Sequence, residues 1–234
     1  MFKGYVMADA PKLEWEEGNV PFSSQFNDTY FSRAGGRDET SYVFLAGNKL
    51  TERFLGTEAF VIGELGFGTG LNFFVTLDAW LKTPHEHRCP LTFISYELYP
   101  LSAQDMQQAL KSWPEFQPYL DDLLTCWPPK DGWNSYDVQG VTLKLAVGDA
   151  NDLLPTCAES VDAWYLDGFN PSQNKALWEH ALMEAVFCKT KQGGSFATYT
   201  AAGWVRRNLQ DVGFTVRRLK GFGRKREMLV GTRD

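Results

Sequence analysis

The sequence predicts an α/β fold organised around a mostly parallel sheet, and two patterns carry that prediction. Short apolar runs alternate with segments whose apolar residues recur at helical spacing, as in strands joined by crossover helices. The last two runs, FTVRRL (214–219) and REMLVG (226–231), are joined by too short a link for a helical crossover, so they should pair antiparallel as a closing hairpin. With 234 residues, 44% of them hydrophobic, the chain can bury the core of one ordinary domain or two small ones.

Residues 1–59 fall outside the alternation. KLEWEEGNVPFSSQF (12–26) suggests a small hairpin and DETSYVFLAGNKL (38–50) a helix, an extension expected to pack on the main domain. FVIGEL (60–65) is the first core strand; it runs into a Gly-rich turn and then a helix marked by Phe73, Phe74, Leu77, Trp80 and Leu81. LTFISYEL (91–98) is the second. Ser102 and Asp105 make a capping-box-like start to the next helix, with Met106, Ala109, Leu110 and Trp113 on one face. The stretch 112–140, rich in Trp, Pro and Asp, has weak periodicity and is left unassigned as an insertion. VTLKLAV (141–147), DAWYLD (162–167) and SFATYT (195–200) supply three more strands. The stripe Trp178, Ala181, Leu182, Ala185, Val186 marks a helix closed before Gly193-Gly194, and Ala202, Val205, Leu209, Val212 another that leaves Arg206 and Arg207 facing outward. A parallel sheet closed by an antiparallel hairpin is the Rossmann-like architecture of class I methyltransferases, here spanning 60–234.

Several classes are excluded. No apolar run approaches the roughly 20 residues that cross a bilayer, and the start MFKGYVMADAPKLEWEEG has acids and a Pro where a signal peptide needs an apolar core. A cytoplasmic, soluble chain with no membrane partner is expected. Cys89, Cys126, Cys157 and Cys188 lack a C-x-x-C pair and read as reduced, buried small hydrophobes. His85-Glu86-His87 lies in a Pro-flanked charged stretch at i,i+2 spacing, so a surface loop and no metal is expected.

The net charge of -6 conceals a polarised chain. Residues 201–234 hold nine Lys/Arg against three acids, while the first 200 residues hold 14 bases and 26 acids. A local basic face therefore sits on an acidic body, either as a solvated surface or as a footprint for a polyanion.

The sharpest local feature is Glu64-Leu-Gly66-Phe67-Gly68-Thr69-Gly70 at the strand–helix junction, continuing to Asn72. Glycines there let the backbone turn tightly and approach a ligand. Glu64 beside the loop suits the cationic amino group of S-adenosylmethionine and would repel a pyrophosphate; the G-x-G-x-G spacing also departs from the dinucleotide pattern. A dinucleotide site and a purely structural turn stay open. Glu97, at the end of strand two, can accept from both hydroxyls of a ribose, and Asp149, after strand three, from an adenine amino group; each can equally be a helix cap or a solvated loop acid. Asp167-Gly-Phe169-Asn-Pro171, after strand four, loosely resembles the Asp/Asn-Pro-Pro-Tyr/Phe motif of amino-group methyltransferases. Asp167 is the best-placed carboxylate to orient an amine or take its proton, the alternative being a turn-forming Asp-Gly.

Six blocks together resemble one family across essentially the whole chain: FNDTYFS (26–32), ETSYVFLAGN (39–48), GELGFGTGLNFF (63–74), VDAWYLDGFNPSQN (161–174), ATYTAAGWVRRNLQDVGF (197–214) and KGFGRKREMLVG (220–231). They are similar to the methyltransferase half of the bifunctional tRNA 5-methylaminomethyl-2-thiouridine biosynthesis proteins (MnmC). The resemblance implies methyl transfer from S-adenosylmethionine to the aminomethyl nitrogen of a tRNA wobble uridine. In that family a second, FAD-dependent half exposes the amine. Here the chain ends at Asp234, after the last methyltransferase strand, so a stand-alone form or an isolated half is expected, without FAD and with a separate flavin-dependent partner as one source of substrate. Asn170 and Ser172 stand where Ala is expected in the fused form. The resemblance also implies that Arg206, Arg207, Lys220, Arg224, Lys225 and Arg226 meet phosphates of an anticodon stem-loop. Tyr30, Phe31, Phe169 and Pro171 would flank a flipped base. Two rivals remain at this point: an aminopropyltransferase of the spermidine-synthase type, and a non-catalytic RNA-binding module.

Overall fold

The computed structural model describes residues 11–55 and 57–234. The reading of the extreme N-terminus as lacking a signal peptide rests largely on residues 1–10 and so lies outside the described residues. The chain opens with a three-stranded antiparallel sheet, β1 (Leu13–Glu16), β2 (Val20–Ser23) and β3 (Asp28–Thr29), which contains the expected hairpin. A helical segment follows: α1 (Gly36–Thr40), a π-helical continuation over Ser41–Ala46, and α2 (Leu50–Arg53).

The main sheet is built from β4 (Phe60–Leu65), α3 (Leu71–Leu81), β5 (Leu91–Glu97), α4 (Ala103–Ala109), α5 (Gln117–Leu124), β6 (Gly132–Val138), β7 (Val141–Val147), α6 (Ala150–Leu153), β8 (Val161–Leu166), α7 (His180–Lys189), β9 (Thr190–Thr198), α8 (Gly203–Asp211), β10 (Thr215–Lys220) and β11 (Glu227–Thr232). Its strand order is β10-β11-β9-β8-β4-β5-β7-β6. Strands β7, β5, β4, β8 and β9 run parallel, and β11 enters antiparallel between β9 and β10, so the closing hairpin is present as expected. The order reverses at β4, which pairs with β5 on one side and β8 on the other. Ligands of open α/β sheets gather at such a reversal, outside the carboxyl ends of the strands.

Period-two alternation divides the core between the two faces of the sheet. Phe93, Ala163 and Tyr165 point to one face, where Phe73, Phe74 and Leu77 of α3 pack with Val43, Phe44, Leu50 and Phe54 of the N-terminal segment. Ile94, Trp164 and Leu166 point to the other, against Leu182, Met183 and Val186 of α7 and Val205 and Leu209 of α8. The N-terminal segment thus shares the core of the α3 face, which brings its polar residues to the rim of the sheet.

Two sequence readings change. The unassigned stretch 112–140 contains α5 and a sheet strand, β6, which pairs antiparallel with β7 through a tight turn at Gln139-Gly140. Both turn residues have positive φ, 54° and 85°, the backbone a two-residue hairpin needs. Of the four cysteines, Cys89 and Cys157 are buried, but Cys126 and Cys188 are exposed, since the short α5 and the outer side of α7 turn them to solvent.

Candidate active site

A cavity of about 490 Å³ opens beyond the carboxyl ends of β4, β5 and β8, within the range of small-molecule sites. Its floor is the loop after β4. Gly66, Gly68 and Gly70 take φ of 92°, 53° and 77°, and a Cβ on Gly66 would sit 2.5 Å from the Asp167 carbonyl oxygen. Only glycine lets the β4 and β8 ends come this close while leaving backbone open to the cavity. Gly66, Phe67, Gly68, Thr69 and Asn72 line the cavity. Gly70 does not; it is the left-handed residue that starts α3, packed against Phe67 and Phe74.

Glu97 closes the second strand end. Its two oxygens accept separately from the backbone N–H groups of Gly68 and Tyr99, each at 2.8 Å. Burial raises its pKa above the ordinary carboxylate value, and the surrounding backbone N–H groups pull the other way. Asp149 lines the cavity while capping α6: one oxygen accepts from the Asn151 backbone N–H at 2.8 Å and from the Asn151 side chain at 2.9 Å. Cap and cavity positions coincide in this residue.

Asp167 lies at the end of β8. One oxygen accepts from the Asn72 amide at 2.6 Å. Burial pushes its pKa up to about 7; Asn72 and the Lys225 cation oppose the rise, while Glu39 and Asp28 add to it. Lys225 pairs with Glu39 at 2.7 Å and lies 4.3 Å from the ring centre of Tyr199. The Tyr199 hydroxyl in turn donates to the Gly168 carbonyl at 2.7 Å. The N-terminal segment completes the wall: Phe26 stacks on Phe169 with ring centres 4.7 Å apart, Tyr30 meets Phe169 edge-on at 5.0 Å, and the Asp28 carboxylate accepts from the Asn170 N–H at 2.8 Å.

The structure thus brings Tyr30, Phe31, Phe67, Glu97, Asp149, Asp167, Phe169 and Lys225 to one cavity, and besides Gly70 three residues stand differently from expectation. Glu64 has 0% exposure and does not line the cavity. It lies beneath the loop, where it accepts from Ser95 at 2.6 Å and Asn72 at 2.9 Å, behind the cavity lining. Pro171 is buried below the cavity rim, which removes it as a stacking surface. Arg206 is only half exposed: it bonds Gln210 at 3.1 Å and its Nε is enclosed, so of the α8 pair Arg207 alone faces outward freely. The antiparallel register puts the link 221–226 at the carboxyl end of β9, bordering the cavity; Lys225 reaches in, while Lys220, Arg224 and Arg226 remain exposed outside.

Sequence reasoning assigned no role to Asp28, Glu39, Thr40 or Tyr199. All four lie within blocks FNDTYFS, ETSYVFLAGN and ATYTAAGWVRRNLQDVGF, which was the signal available. Five lining acids, Asp28, Glu39, Glu97, Asp149 and Asp167, outnumber the lining cations Lys12, Arg33 and Lys225, of which Arg33 is paired to Glu16 and Lys225 to Glu39, and suit a ligand that carries a positive centre beside a nucleoside. The donor set and the open glycine backbone therefore fit S-adenosylmethionine.

The fold and the acid-lined cavity at the strand ends are those of a nucleoside-binding α/β protein, and residues 114–234 match the family model described as S-adenosyl-L-methionine-dependent methyltransferase. The chain belongs to that family, whose description supports neither aminopropyl transfer nor a non-catalytic role. Among curated relatives, the "tRNA 5-methylaminomethyl-2-thiouridine biosynthesis bifunctional protein MnmC" of Nitrosospira multiformis is 43% identical over 225 residues, 94% of this chain and 36% of the relative. Its namesake from Aeromonas hydrophila is 42% identical over 233 residues, 95% of this chain and 35% of the relative. The chain thus spans about a third of the length of these relatives. The crystal structure of MNMC2 from Aquifex aeolicus superposes with a TM-score of 0.73 over 97% of this chain and 72% of that one; at 22% identity this is a likeness of fold. Among the described residues no helix is long and apolar enough to cross a membrane.

Proposed function

We propose that this chain transfers a methyl group from S-adenosylmethionine to the amine of 5-aminomethyluridine or its 2-thio form at the wobble position of tRNA, giving the 5-methylaminomethyl nucleoside. The observation that carries this reading is the 41–43% identity, across about 94% of the chain, to relatives named for biosynthesis of that nucleoside. A cytoplasmic location follows from such a substrate. An anticodon stem-loop is the part of the tRNA engaged, and a separate flavin-dependent enzyme or segment exposes the amine.

The cofactor supplies an electrophilic methyl on a cationic sulfur. Glu97 accepts from the ribose hydroxyls with the lone pairs its two backbone bonds leave free, and Asp149 receives the adenine amino group on the oxygen not used by Asn151. An alkylamine is protonated near neutral pH and attacks only after losing that proton. Asp167 serves this need: its free oxygen accepts from the incoming amine, orients the lone pair toward the methyl, and takes the proton directly or through water. A carboxylate pushed up to about 7 is matched to that exchange. Tyr30 and Phe169, already in contact with each other, offer the uracil ring one aromatic wall, with Phe31 beside them. Lys220, Arg224 and Arg226 bind phosphates outside the cavity, so the target base reaches in from a backbone held at the rim.

The test is transfer of labelled methyl to three tRNA preparations: unmodified, carrying carboxymethylaminomethyluridine, and carrying aminomethyluridine. Incorporation into the third alone supports the proposal. Equal incorporation into all three, or none into the third, overturns it.

A further inference from the structure

At the cavity wall, Glu64 and Asn72 of the glycine-loop block and the distant Asp167 form a continuous hydrogen-bonded bridge. The Asn72 amide nitrogen donates to Glu64 at 2.9 Å and to Asp167 at 2.6 Å, which uses both of its hydrogens. The Asn72 oxygen accepts from the Thr40 hydroxyl at 2.6 Å. These partners fix which way the amide points, because the reversed orientation would set its oxygen against two carboxyl groups. Glu64 is anchored from behind by the Ser95 hydroxyl at 2.6 Å. Every member except Asp167 is buried; Glu64 and Ser95 lie behind the cavity wall, to which Thr40, Asn72 and Asp167 contribute, and the bridge is seated between β4, β5 and α3. Among the described residues no donor other than Asn72 bonds the Asp167 carboxylate, and its second oxygen is left to the cavity.

A buried carboxyl with no ion pair among the described residues needs a reason to be there, since burial raises its pKa well above the ordinary value. Apolar packing would suit this part of the core better unless the acceptor were used. Its use is visible in the bridge: without Glu64, one hydrogen of the Asn72 amide would be buried with no acceptor, and the amide could turn away from Asp167. We propose that Glu64 is a positioning residue for methyl transfer, acting through Asn72 to aim the free oxygen of Asp167 at the incoming amine. This deepens the function proposed above and rests on it. The charged and titratable groups facing Asp167 from its surroundings are Asp28 and Glu39 of the N-terminal segment, Lys225 of the β10–β11 link, Tyr199 after β9, and Glu64 itself.

The experiment compares the parent with Glu64→Gln, Glu64→Ala, Asn72→Ala and the double variant Glu64→Ala/Asn72→Ala. Three quantities are read: single-turnover methylation of aminomethyl tRNA, S-adenosylmethionine Kd by calorimetry, and the Asp167 carboxyl titration by carbon-13 NMR of cofactor-free protein. Glu64→Gln keeps shape and an acceptor for Asn72, so its rate stays within about threefold of the parent. Asn72→Ala and Glu64→Ala each lose about tenfold or more in rate with Kd changed less than about threefold, and the double variant is no worse than Asn72→Ala alone. Because the Asn72 donor favours the ionised form, Asn72→Ala also moves the Asp167 titration upward. Full rate in Asn72→Ala, additive losses, an unmoved titration, or a collapse of Kd in step with rate overturns the inference; the last would make Asn72 a direct cofactor ligand. If Glu64→Ala does not fold, Glu64→Met, which keeps the length of the side chain but offers Asn72 no carboxyl or amide oxygen, takes its place with the same expected loss, and a parent-like rate in it overturns the inference. A parent that transfers no methyl to this tRNA refutes the proposed function instead, and the titration still reports on the bridge.

Discussion

Replacing Asp167 with Asn should remove methyl transfer and, at alkaline pH, make the cofactor-free protein more stable. The folded carboxyl titrates at about 7, against 3.8 for the ordinary group, because burial disfavours its charge. Between those values the folded parent holds a proton that the unfolded chain has released, so its stability falls as pH rises through that window and levels off above it. The full span corresponds to an upper limit of about 4 kcal/mol, with a slope of at most about 1.4 kcal/mol per pH unit. An Asn side chain fits the same place: its oxygen accepts from Asn72 and its NH2 faces the cavity, and it has no charge to bury. Urea unfolding of both proteins at about pH 5 and pH 8 isolates the term, since groups common to both largely cancel in the difference. Of that span only the part between pH 5 and about 7 falls between the two measurements, so the advantage of the variant should grow by about 1–2.5 kcal/mol toward pH 8. An advantage equal at the two pH values, or growing toward acid, would refute the reasoning and leave Asp167 an ordinary carboxylate.

Three further outcomes follow from the same geometry. Methylation by the parent should rise with pH through about 7 as Asp167 becomes able to accept a proton, and a single-turnover profile flat from about pH 6 to pH 8 would contradict this. Glu97→Gln should weaken S-adenosylmethionine binding by about 1.5–3 kcal/mol in calorimetry. Each Glu97 oxygen already faces a different backbone N–H, so the new NH2 must oppose one of them; unchanged affinity would remove Glu97 from the site. Replacing Lys220, Arg224 and Arg226 together with Ala should weaken tRNA binding and flatten its log-log salt dependence by up to about three units while leaving cofactor affinity unchanged. Lys225 is left intact in that variant because it lines the cavity and pairs with Glu39.

Legibility in the sequence tracked locality. The glycine loop, Glu97, Asp149 and Asp167 were readable because each sits at the end of an apolar run, where a parallel sheet presents its ligand site. Strand β6 was not: its exposed residues Trp133, Ser135 and Asp137 alternate with half-buried Asn134 and Tyr136, and only Val138 is fully buried. An edge strand of that kind has no apolar face to announce it, and the turn at Gln139-Gly140 was the one available sign. Glu64 shows how a single position decides a role. It precedes the loop by two residues, yet strand alternation turns it into the protein beneath Asn72 rather than out of the strand end. Asp28 and Glu39 reach the cavity only because the N-terminal segment packs on the α3 face, a long-range consequence that local periodicity does not carry. The basic tail was legible as charge, but which cations face the cavity depended on the register of β11 against β9.

Methyl transfer to the wobble side chain is read by nucleoside mass spectrometry of aminomethyl tRNA after incubation with the protein and methyl-labelled S-adenosylmethionine. One labelled methyl is expected on the side-chain nitrogen of the wobble uridine, recovered as 5-methylaminomethyluridine or its 2-thio form and absent when Asp167 is replaced by Asn. Label on another nucleoside, on a ring atom or a ribose hydroxyl, or undiminished label from the Asp167→Asn protein would contradict it.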